Sequence, residues 1–132
     1  MKTLGGLLLS AMTYLLAGLL LVLFIHAALP DEVDAQGHVT GRATLMLDLC
    51  ANALACALAG ALAPAGLPGG LRGRCAAACG TIFGIAAAST IAFRDATPTW
   101  YNAAILVTTP LFVAIGVSWR AAVRAASPRA AR

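Results

Sequence analysis

Asp48 is the only charged residue between Arg42 and Arg72. Thr44 and Asn52 stand four positions before and after it, so on a helix the three lie on one face. His26 sits near the end of the preceding apolar stretch. If the two stretches are neighbouring antiparallel helices, His26 and Asp48 come to similar depth. A carboxylate in such a place binds a cation or relays a proton, and an imidazole beside it shares that proton. The competing reading is an anchor, with Asp48 paired to Arg42, Arg94 or His26 at a membrane surface. On its own helix His26 falls almost opposite Ser10, Tyr14 and Ala17, so the two faces are not expected to meet the bundle centre together.

Other groups capable of chemistry are sparse. Cys75 and Cys79 are spaced i, i+4, which puts two thiols on one helix face, but a metal needs further ligands and none is at hand there. Cys50 and Cys56 lie in another apolar stretch. There is no Cys-x-x-Cys pair, and all four read as small polarizable packing residues. His38 with Asp31, Glu32 and Asp34 forms an acidic, hydrated loop. No nucleophile elbow, phosphate loop or His-Glu metal helix is present. We therefore expect no catalytic activity, no metal and no cofactor.

The elements that position these residues follow from the gaps between charges. Thr3 to Leu29, Cys75 to Phe93 and Ala96 to Trp119 carry none, and Arg42 to Arg72 carries Asp48 alone. A bilayer core of about 30 Å needs ~20 apolar helical residues. Backbone polar groups find no partner in lipid, so such stretches must be helices. Alanine and leucine dominate them, and no period-2 alternation suggests a barrel. The chain is 61% hydrophobic and 11% charged, whereas an ordinary globular chain has about 25% charged residues. Too little polar surface exists to cover a water-soluble domain.

The reading is an all-α, four-helix transmembrane bundle in one domain, with spans near 4–29, 43–63, 75–93 and 102–119. The links are short and broken by Pro30, Pro64, Pro68 and Gly69-Gly70, so successive helices run up-down-up-down. Residues 120–132 read as a basic tail. The first apolar run is longer than the ~7–15 residues of a signal peptide, and a retained helix is expected. Lys2, Arg72, Arg74, Arg120, Arg124, Arg129 and Arg132 fall on one side of such a bundle; only Arg42 and Arg94 fall on the other. By the positive-inside rule both termini are cytoplasmic. Trp100, Tyr101 and Trp119 take interfacial belt positions. The net charge of +4 is the product of this sorting, not a nucleic-acid footprint.

Small residues mark packing faces. Gly80, Gly84 and Ala88 make a Gly-x-x-x-Gly seam, with Cys75, Cys79 and Ala86 opposite. Ala51, Ala55 and Ala59 form a second stripe, and Gly6, Ser10, Thr13, Tyr14 and Ala17 a third. These seams either close the bundle or, at Gly80 and Gly84, join it to another copy or a larger membrane complex. Pro110 should kink its helix, with Thr108 and Thr109 satisfying the freed carbonyl. In layout the chain resembles small bacterial inner-membrane proteins, a likeness that implies a multi-pass inner-membrane location but no activity. Two functions fit: a non-catalytic packing subunit, or a small transporter or ion-pathway subunit using Asp48, Asn52, Thr44 and His26.

Overall fold

The computed structural model describes residues 2–29, 41–64 and 69–126. They form four helices: α1 (Lys2–Ala28), α2 (Arg42–Ala61), α3 (Gly70–Ala92) and α4 (Thr99–Ala125). No strand occurs among the described residues. All four helices are long and apolar enough to cross a membrane.

Two ends differ from the charge-gap reading. Helix α3 begins at Gly70, one turn before Cys75, and α4 runs on to Ala125, through Arg120 and Arg124. A charge interrupts an apolar run but does not break a helix: Arg and Ala are strong helix formers, and long Arg side chains extend away from the apolar surface. What does turn the chain into α3 is the glycine pair. Gly69 and Gly70 have φ of 81° and 60°, a left-handed conformation that side chains rarely adopt. Pro98 precedes α4 with φ −59°, already set for helix entry.

Helix α2 is the central one, packed between α1 and α4, while α3 rests mainly on α4. Its buried stripe is the expected Ala51, Ala55 and Ala59, joined by Cys56. The closest approach is to α4. A Cβ on Gly60 would strike the Val113 backbone, and one on Gly116 would strike the backbones of Ala57 and Ala61. These glycines let two backbones meet, which is how helices gain packing energy where lipid offers no hydrophobic contrast. The core they frame contains Cys56, Ala59, Ala78, Ile82, Val113 and Val117, with Cys75 and Cys79 against its edge. Cys50 is exposed instead. Around this core the outer faces are apolar: Leu20 is 66% exposed, Phe24 73% and Val107 71%.

Helix α3 meets its neighbours through Arg74, Ala78, Ile82 and Ala86. Gly80, Gly84 and Ala88 are exposed, and among the described residues nothing lies within 4 Å of a Cβ built on either glycine. That seam therefore does not close the bundle within one chain; the Cys75–Cys79 side does. Pro110 lies inside α4. Thr108 donates to Ala104 O at 2.8 Å, not to the carbonyl of Leu106 that proline leaves without its usual donor. The Pro110 carbonyl itself accepts from the Cys79 thiol at 3.5 Å. At the far end of α2, Arg74 Nη2 donates to Ala63 O at 3.3 Å and Arg120 Nη1 to Ala61 O, so two guanidinium groups cap carbonyls that the helix terminus leaves open.

Candidate functional site

Because α2 is central, its polar face is buried rather than bathed. Thr44 is fully buried, Asp48 is 6% exposed, and Asn52 is half-buried one turn on. Asn52 is held from three sides. Its Oδ1 accepts from Tyr14 Oη of α1 at 2.9 Å and from the Cys56 thiol at 3.9 Å, and its Nδ2 donates to Thr109 Oγ1 of α4 at 3.4 Å. An amide that both donates and accepts ties three helices where water cannot substitute. Thr109 is itself fully buried.

Asp48 is less completely provided for. His26 Nε2 lies 3.7 Å from Asp48 Oδ2, close enough for charge attraction but beyond hydrogen-bond length. Asp48 Oδ1 and His26 Nε2 are both buried without a hydrogen-bond partner among the described residues. Of the three anchor partners considered, Arg94 pairs with Asp95 at 3.5 Å on the exposed surface, and Arg42 is exposed. His26 is the remaining one. It reaches Asp48 although Ser10 and Tyr14 also contact α2: Ser10 Oγ donates to Ala59 O at 2.6 Å. The expectation that both faces could not turn inward fails because Ser10, Tyr14 and His26 meet α2 at different heights along α1. Rows of residues four apart are inclined to the helix axis, so residues far apart on a wheel can meet the same neighbour.

Beside Asp48 a cleft opens between α1, α3 and α4, with α2 as its floor. It has two lobes, of about 220 and 440 Å³. Both are lined by Val22, Asp48, Ser89, Tyr101 and Ile105, so they are continuous. The smaller adds Tyr14, Asn52 and apolar walls from Leu15, Leu19 and Ile85. The larger adds His26, Phe93, Thr97 and Asn102 at its rim, where Thr97 Oγ1 donates to Asn102 Oδ1 at 2.9 Å.

The structure thus brings Asp48, Asn52 and His26 of the expected set around one cleft. Thr44 is buried one turn away on the same helix and lines neither lobe. The sequence does not single out Tyr14 or Ser89 for this site. Tyr14 falls in a packing seam, although a phenol in mid-span needs a partner for its hydroxyl, and that need is the available signal. Tyr101 and Asn102 open the fourth span on the same side as His26 and Asp48; Tyr101, expected in the interfacial belt, is only 8% exposed and lines the cleft, with Trp100 edge-on to it at 6.0 Å and itself exposed. Ser89 follows a run of alanines and carries no spacing signal at all. Asp31, Glu32, Asp34 and His38 lie outside the described residues, as do Arg129 and Arg132. Among the described residues no three His, Cys, Asp or Glu side chains gather as metal ligands.

The arrangement can do two things chemically. A buried carboxylate short of one hydrogen bond can take a proton or a cationic partner, and the adjacent imidazole can exchange that proton with the cleft rim. Comparison with protein families, with curated proteins and with solved structures finds no match for this chain.

Proposed function

We propose that the protein is a non-catalytic, four-span integral membrane protein of the inner (plasma) membrane whose cleft binds a cation or passes a proton at Asp48. Four apolar helices with apolar outer faces support the membrane setting. The cross-helix contacts support an up-down-up-down order. Ser10, Tyr14 and His26 of α1 meet Ala59, Asn52 and Asp48 of α2, so one helix is climbed as the other is descended. With the arginine bias, that order puts both termini in the cytoplasm and the rim at His26 and Asn102 outside.

The single observation that carries the functional part is Asp48 itself: nearly buried, lining both lobes, with Oδ1 unpartnered among the described residues. Pairing to Arg42 or Arg94 would hold the carboxylate against a guanidinium; the contact it does have, His26 at 3.7 Å, leaves Oδ1 without a donor among the described residues. The test is proton and monovalent-cation flux in liposomes. Wild-type protein should raise flux above protein-free vesicles, and Asp48→Asn should return it to that baseline. Equal flux in both preparations overturns the reading.

One observation favours a second reading. The Gly80–Gly84–Ala88 face of α3 lies uncovered in the single chain. Glycine faces of this kind suit close helix packing, so the protein also acts by joining a second copy or a larger membrane complex through α3.

A further inference from the structure

We infer that the cleft at Asp48 takes a protonated organic amine, an ammonium group with at least one N–H carried on a small apolar body. This inference rests on the reading of Asp48 as a binding group and narrows it to a ligand class.

Among the described residues the cleft is lined by one anionic group and by no Lys or Arg side chain. An anionic ligand would be repelled by Asp48, which lines both lobes. An inorganic cation is held less tightly than an ammonium, because a bare metal ion needs several oxygen ligands and the described lining offers one carboxylate among scattered neutral groups. A hydrated ion would have its shell pressed against Leu15, Leu19, Val22, Ile85 and Ile105, which cannot hydrogen-bond to it. A proton alone would satisfy Asp48 but leaves the space unaccounted for. The larger lobe falls within the ~300–1,000 Å³ typical of small-molecule sites, and the smaller one extends it.

What the cleft does match is an amphipathic cation. Asp48 Oδ1 lacks a donor among the described residues, and an ammonium N–H supplies one with opposite charge, the stronger kind of hydrogen bond. Tyr14 and Tyr101 line the same lobe as Asp48, and phenol rings attract a cation that has left water. The aliphatic side chains of α1, α3 and α4 then cover the apolar body. Such a ligand matches the carboxylate and the apolar walls of the cleft at once.

The test is calorimetric titration of the purified full-length protein in detergent micelles with 2-phenylethylammonium chloride. Two analogues of the same shape separate the contributions: the N,N,N-trimethyl derivative keeps the charge without an N–H, and 2-phenylethanol lacks the charge. The amine should bind, the trimethyl analogue about tenfold or more weakly, as befits one lost charge-assisted hydrogen bond, and the alcohol not measurably. Asp48→Asn should lose the amine. Ile105→Trp, which fills the junction of the two lobes, should lose it as well, with elution volume showing that both variants remain folded. No heat with the amine, equal binding of the alcohol, or unchanged binding by folded Asp48→Asn overturns the inference. If Asp48-dependent proton flux persists without amine binding, the inference falls and the broader reading stands; if both are missing, both fall.

Discussion

Asp48 on α2 and His26 on α1 approach to 3.7 Å, and each keeps a buried polar atom without a hydrogen bond among the described residues. The pair is thus a loose one. His26 is 31% exposed at its side chain, so water screens the attraction from one side. A tight structural anchor would show strong energetic coupling between the two residues. We expect a double-mutant cycle of His26→Gln and Asp48→Asn, read by unfolding in detergent, to give coupling of about 0.5 kcal/mol, in the range of average side-chain pairs inside membranes. Coupling above about 2 kcal/mol would make the pair a structural bridge instead.

Ser10 and Thr13 both donate hydroxyls to carbonyls, but in different places. Ser10 is fully buried and reaches across to Ala59 of α2, whereas Thr13 bonds back to Leu9 within its own helix. Ser10→Ala should therefore cost about 1 kcal/mol by thermal or denaturant unfolding, the typical net value of one such bond. Thr13→Ala removes a local bond that competes with helix geometry and should change stability by less than about 0.5 kcal/mol.

The number and approximate extent of the helices were legible because lipid demands long uncharged runs, and the charges mark where they stop. The α2 stripe was legible too, since small residues at i+4 spacing leave few alternatives. The face of α3 was not. Gly80 and Gly84 look like the better packing surface than Cys75 and Cys79, and only the position of α4 decides that the thiol side turns inward. The α2–α4 contact at Gly60 and Gly116 passed unnoticed for a related reason: each glycine stands alone, and its value depends on the backbone opposite. Asp48, Asn52 and His26 stood out as polar groups in apolar surroundings. Ser89 joins them by tertiary placement, which no spacing rule encodes.

Arg120 and Arg124 lie one turn apart on α4 yet differ in role. Arg120 caps Ala61 O at the end of α2, while Arg124 is exposed. Arg120→Ala leaves that carbonyl without its cationic donor and should lower stability by about 1 kcal/mol, as for a charge at a helix C-terminus. Arg124→Ala should stay within about 0.5 kcal/mol. Parallel unfolding curves of the two variants check the difference; equal losses would mean that the tail charge matters only in bulk.

Reporter fusions check the orientation. Alkaline phosphatase folds to its active form only outside the cytoplasm. Fused after Ala96, between α3 and α4, it should be active; fused after Ala126 it should be inactive. The reverse pattern would place Asp48 and the cleft rim on the cytoplasmic side and would contradict the arginine bias.

The glycines of α3 and α4 predict opposite behaviour. A Cβ at Gly116 collides with the backbones of Ala57 and Ala61, which cannot move aside as a flexible side chain would, so Gly116→Ala should cost about 1–3 kcal/mol or prevent folding. At Gly80 and Gly84 a Cβ meets nothing within 4 Å. Within one chain Gly80→Ala and Gly84→Ala should be neutral, or stabilising by up to about 1 kcal/mol through better helix propensity. If α3 joins a second copy, the same open face is the contact. Gly84→Leu should then leave the chain folded while shifting its elution from oligomer to monomer. An oligomer that survives both Gly80→Leu and Gly84→Leu would remove α3 from the interface, because bulky side chains at these positions hold two backbones too far apart to pack.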